Sequence, residues 1–235
     1  MEQMTRNSQT EQIGQARDLV FVNAEPFDAP FQPRLEERLL WFGQELWRLS
    51  ARQYSVITKA AKACGDSFSY LSECSLGEWN GQQWHVEFDE NPYDILSTRE
   101  PPWWVESALF SPSGQWGALI SADDFAIVAG NHEVVNVLKA ELGDECSNVE
   151  AFLAFFQRGR YSRYLRPRMK ALLTHLHGAE KATEWLEKCW HLPDPDPKAK
   201  INASDWQFLV SRYGPSGAAA WVKTHWGIEV PGYLS

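Results

Sequence analysis

The chain of 235 residues lacks most of the signatures that would name a chemistry. Its four cysteines, Cys64, Cys74, Cys146 and Cys189, form no CxxC pair and show no metal-ligand spacing. They read as reduced, mostly buried thiols of a cytoplasmic protein, not as a disulfide framework or a zinc site. No apolar run approaches the roughly 18 residues that a membrane span needs. The opening "MEQMTRNSQTEQIGQARD" has no apolar core of the kind that marks a secretory signal. There is no G-x-x-x-x-G-K-[ST] loop, no H-E-x-x-H and no G-x-S-x-G elbow. These absences weigh against familiar enzymes, and no cofactor is expected.

Positive charge is also scarce. With 22 basic and 31 acidic residues the net charge is −9, which argues against coating nucleic acid through the overall field. What the chain does have is aromatic surface, including 12 tryptophans. Large aromatics pack cores well and also anchor interfaces.

The pattern predicts an α+β fold. Residues 1–16 are polar and aperiodic and read as a disordered tail, "LVFV" (19–22) reads as a short strand, and 23–33 with its three prolines reads as an extended lead-in. From Leu35 the spacing of Leu35, Leu39, Phe42, Leu46 and Leu49, continued by Val56, Ala60 and Ala63, predicts one long N-terminal helix ending at Gly65. Residues 67–130 read as an antiparallel β-meander of about four strands. The alternation in "QWHVEF" and the turns "SPSGQ" and "ADD" support that. Asn131 caps a helix that stops at Gly143. "SNVE" (147–150) reads as a capping box, and a further helix starts after Pro167 and stops at Gly178. The next helix ends before Pro193, "PDPDPKAK" (193–200) is a stiff linker, and two more helices start near Ser204 and Ser216.

Shifted by 36 positions, "LLTHLHGAEKATEWLEKCW" lies on "FLVSRYGPSGAAAWVKTHW" without a gap. Leu173, Gly178, Ala182, Trp185 and Trp190 match Leu209, Gly214, Ala218, Trp221 and Trp226. This suggests a C-terminal region of stacked αα-hairpins, 165–192 and 201–228, arising by duplication or from shared helix grammar. The domain reading is a tail at 1–16, an α+β domain at 17–145 with the antiparallel sheet, and a helical region at 146–235 packed on it as one globule.

Three surfaces could carry function. Asp123 and Asp124 are adjacent, so in a strand they point to opposite faces, and turn formation explains them. His85, Glu87 and Asp89 alternate along a strand and could hold a divalent cation for a metal-dependent hydrolase. The solvent face of an ordinary antiparallel strand looks the same. His175 and His177 are two apart on a helix, share no face and read as surface residues.

The third surface is a basic island. Residues 151–179 contain no acid but carry Arg158, Arg160, Arg163, Arg166, Arg168 and Lys170, with Tyr161 and Tyr164 interleaved. The remainder has 16 basic and 31 acidic residues, a net −15. Such an island suits phosphates with stacked bases, or else ion pairs with the acidic surface of the same molecule.

The reading that follows is a non-enzymatic, cytoplasmic protein-binding module. In concrete form it is an immunity or antitoxin protein that neutralises a basic partner through an acidic, tryptophan-rich surface. The alternatives are a nucleic-acid accessory protein binding through 158–170 and the metal-dependent hydrolase centred on His85.

Overall fold

The computed structural model describes residues 6–42, 49–74, 77–79, 81–90, 106–121, 124–146, 148–157, 162–192, 201 and 203–226. It is an α+β fold in which helices cover both faces of an antiparallel sheet.

Arg6–Val20 is a helix, α1, where a disordered tail was expected over 1–16; residues 1–5 lie outside the described residues. The helix is polar nearly all round, but Ile13, Ala16 and Val20 step by three and four and are buried. That narrow stripe suffices because the sheet supplies the other side of the contact. "LVFV" is no strand. It is the end of α1 followed by an isolated bridge from Phe21 to Phe31, and Ala24 bridges to Gly77. Residues 21–31 thus form a strap laid over the core.

The predicted long helix is also corrected. Glu37–Phe42 is a strand, β1, and a helix, α2 (Ala51–Ala63), starts separately after Ser50. Residues 43–48 lie outside the described residues. In β1 the consecutive Leu39, Leu40 and Trp41 are all buried, so both faces of the strand are covered and no alternation marks it in the sequence. Ser50 caps α2 through a reciprocal capping box with Gln53.

Five more strands follow: β2 (Phe68–Cys74), β3 (Gln83–Glu87), β4 (Glu106–Phe110), β5 (Trp116–Ser121) and β6 (Phe125–Gly130). The described residues of 67–130 thus hold five strands where about four were expected, and with β1 the sheet has six, in the order β1-β6-β5-β4-β2-β3. Only β4, β5 and β6 form a simple meander. β2 inserts between β3 and β4, and β1 closes the far edge on β6. Asp124, with φ of 62°, makes the turn between β5 and β6, as the sequence implied; Asp123 lies outside the described residues.

Beyond the sheet lie α3 (His132–Leu142), a 3₁₀ turn (Gly143–Cys146), α4 (Val149–Gln157), α5 (Ser162–His177), α6 (Ala179–Cys189) and α7 (Ala203–Trp226). Asn131 caps α3 by accepting the Val134 amide at 3.0 Å. For α4 the capping oxygen is Oδ1 of Asn148, which accepts from Ala151, one residue later than the box that the sequence suggested. α5 starts before Pro167 and runs through it.

One sheet face carries Leu71, Leu109, Ala118, Ile120, Ala126 and Val128 against α2 and α3. The other packs Tyr70, Phe110, Leu119, Phe125 and Ile127 against α1, the strap, α4, α5 and α6. Residues from Ile13 to Trp190 share this second core.

The two expected helical hairpins are matched only in part, since Ala203–Trp226 is a single helical element kinked at Gly214. Gly178 has φ 88° and ψ 159°, and Gly214 has φ 70° and ψ 168°, so both turns use backbone that favours glycine. Leu173 and Leu209 are buried, as are Ala182 and Ala218, and Leu186 and Val222. His177 meets Trp185 at 4.8 Å, and 36 positions later Tyr213 meets Trp221 at 6.2 Å. The linker 193–200 lies outside the described residues.

Candidate functional site

The described residues include part of the basic island. Arg158, Arg160 and Tyr161 lie outside the described residues, and Arg163 and Tyr164 stand in the first turn of α5. Arg166 is partly buried and engaged within the molecule, while Lys170 is exposed. Arg168 is committed to an internal contact. Its Nη2 donates to Glu25 Oε1 at 2.6 Å, with only 14% and 19% of the two side chains exposed. Its guanidinium also lies over the Phe27 ring, 4.0 Å from the centroid. Arg168 thus ties the strap to α5.

Two turns further along α5, His175 stacks on Phe31 of the same strap, with ring centroids 6.0 Å apart. Its backbone carbonyl accepts from Arg38 Nη1 at 2.8 Å. His175 and His177 were expected at the surface, but the Nε2 atom of each is buried and has no hydrogen-bond partner among the described residues. Burial, and then the charge of Arg38, pulls His175 down to about 4. Burial, and then Lys181, lowers His177 as well. The signal was present in the sequence: His175 follows Leu172 by three and His177 follows Leu173 by four, which places each beside the apolar stripe.

The row His85, Glu87, Asp89 does not converge. His85 Nε2 bonds Glu87 Oε1 at 2.8 Å, and its ring stacks on Phe68 at 4.1 Å. Asp89 falls in the turn after β3. Among the described residues no group of three His, Cys, Asp or Glu side chains could hold a metal ion.

Around the turn "SPSGQ" the polar side chains form a lock. Trp116 Nε1 donates to Asp66 Oδ2 at 2.8 Å, and Ser113 Oγ donates to Asp66 Oδ1 at 3.2 Å. Gln115 Oε1 accepts from Asn131 Nδ2 at 3.0 Å. This joins the end of α2, the β4–β5 turn and the start of α3. The thiol beside it, Cys64, is pushed up to about 11 by burial and by Asp66. Burial and Glu145 push Cys146 up to about 12. Neither sits in the electropositive surroundings that make a thiolate nucleophile.

The outward face of α6 differs in character. Ala182 and Leu186 point into the core, whereas Glu180, Glu184 and Glu187 step by four and three along the exposed side. These three carboxylates make no ion pair among the described residues. On the neighbouring α4, Phe155 is 45% exposed. Among the described residues, no helix is long and apolar enough to cross a membrane.

Comparison with family models, with curated proteins and with solved structures found no match for the chain.

Proposed function

We propose that the protein is a non-enzymatic binding module that docks a basic protein partner, in the manner of an immunity or antitoxin protein. The observation that carries this reading is the stripe Glu180, Glu184 and Glu187 on α6. Charges already paired within a molecule add little to a new contact, whereas unpaired exposed carboxylates steer a cationic partner and speed its encounter. The net charge of −9 extends that field over the surface. The buried Ala182 and Leu186 fix the helix beneath the stripe, so it is presented on a rigid element.

The test is affinity capture on the immobilised protein from its native host, followed by elution with a salt gradient. The expected result is a basic protein retained at low salt and released as salt rises, because exposed charge pairs are screened over about 8 Å at physiological ionic strength. Retention of nucleic acid in place of a protein, lost on charge reversal at Lys170, would overturn the reading in favour of the basic island.

A further inference from the structure

β3 is the last strand of the sheet, hydrogen-bonded on one side to β2. The Glu73 amide donates to the Gln82 carbonyl at 2.9 Å, in line with the register that sets Ser72 opposite Gln83. Antiparallel bonding alternates from one residue to the next, so Trp84 and Val86 also bond towards β2. The backbone N–H and C=O groups of Gln83 and His85 therefore point away from the sheet. Among the described residues they have no partner. The free stretch ends at Glu87, whose carbonyl accepts from the Tyr54 hydroxyl at 3.3 Å and from the Glu90 amide at 3.1 Å.

Exposed edges are normally blunted by proline, lysine, a bulge or a covering element. β1, at the other end of the sheet, is packed by the 3₁₀ turn, α4 and α5. β3 is different. Gln83–Glu87 holds no proline or lysine, and its register with β2 runs unbroken. Its ionisable side chains, His85 and Glu87, bond to each other. The turn that follows carries charge of one sign. Asp89 and Glu90 are exposed there, and neither makes an ion pair among the described residues. The cation nearby, Lys62, lies instead over the Phe88 ring, 5.6 Å from its centroid.

We infer that the outer edge of β3 receives an extended peptide segment as an additional strand, one that carries lysine or arginine beside Asp89 and Glu90. Backbone pairing at Gln83 and His85 supplies register and affinity, and the two carboxylates select a basic sequence. A second copy of this chain would bring a like net charge of −9 to the edge, which disfavours self-pairing. That the segment belongs to the protein docked on α6 rests on the function proposed above; the edge itself does not.

The test is fluorescence anisotropy of a labelled, end-blocked peptide of alternating threonine and lysine, titrated with the full chain at physiological ionic strength. The expected result is saturable binding that is at least about tenfold weaker for Gln83→Pro, which removes an outward N–H and obstructs the edge. Proline at the first residue of an edge strand costs the sheet no bond, so this variant should unfold at the wild-type midpoint. The double variant Asp89→Asn, Glu90→Gln should bind about threefold or more weakly, as loss of two exposed charge pairs requires. The same peptide with its amide nitrogens methylated keeps its charge, loses its backbone donors and should not bind, a control that leaves the protein untouched. No saturable binding, or equal affinity for the methylated peptide or for either variant, overturns the inference. So does a dimer of the chain seen by sedimentation and lost in Gln83→Pro without peptide binding, which would make the occupant a second copy. Charge reversal on α6 separates the two proposals: it should abolish partner capture and leave the peptide affinity within about twofold, since that charge is screened at the distance of a Debye length. Peptide binding with no basic partner captured upholds the edge and refutes the α6 reading.

Discussion

Replacing Gly117 by alanine tests whether α1 is built into the core. Gly117 lies in β5, and a Cβ there would stand 2.3 Å from Cγ1 of Val20 and 2.8 Å from Cζ of Phe21. Val20 is 0% exposed and Phe21 3%, so neither can swing into solvent. Overpacking of this kind costs about 1–3 kcal/mol. The lower backbone entropy of alanine in the unfolded chain returns about 0.5–1 kcal/mol. The net expectation is a loss of up to about 2.5 kcal/mol, which for a chain of this size moves Tm down by up to roughly 10 °C. The clash names its own remedy. Val20→Ala is destabilising alone because it empties a buried site, but in combination with Gly117→Ala it opens the space that the new methyl needs. A double-mutant cycle by thermal or urea unfolding should therefore show favourable coupling of about 0.5 kcal/mol or more. Strict additivity of the two changes, or a Gly117→Ala variant more stable than the wild type, would refute the packing of α1 on β5.

Other predictions follow from the same structure. Arg168→Met should destabilise by about 1–3 kcal/mol, because it removes the largely buried charge-assisted bond from Arg168 to Glu25; urea unfolding measures this. Replacement of Gly178 or Gly214 by alanine should cost about 1–2 kcal/mol each, since both glycines hold positive φ that alanine adopts only under strain. The half-buried histidines His175 and His177 set a pH dependence. Their folded pKa values lie below the unfolded value near 6.5, so below that pH the unfolded chain binds more protons. Their contribution is complete above pH 6.5 and is lost as pH falls towards the His175 value of about 4. The midpoint of thermal unfolding should decline through that window, and His175→Phe should flatten the decline.

Much of the second half of the chain was legible in its sequence. Asp124 in the β5–β6 turn, Asn131 capping α3, and the glycine turns at 178 and 214 all obey local chemistry that a single residue type announces. The first half hid its structure for two opposite reasons. β1 is buried on both faces, so its leucines fell by chance into a helical spacing that continued to the genuine helix α2. α1 has so few apolar residues that its stripe of Ile13, Ala16 and Val20 did not rise above the polar background. Strand order was hidden as well, because the insertion of β2 between β3 and β4 is a matter of tertiary pairing. At the sites, the arginine island was visible as composition, but the engagement of Arg168 by Glu25, 143 positions away, was not.

The proposed docking of a basic partner is tested most directly by charge reversal on α6. The triple variant Glu180→Lys, Glu184→Lys, Glu187→Lys changes only exposed positions, so its unfolding midpoint should stay close to that of the wild type. Capture of the basic partner from the native host by wild type, together with its loss in this variant, is the expected result. Capture of the same partner in equal amount by both proteins would contradict the assignment of the α6 stripe as the docking face.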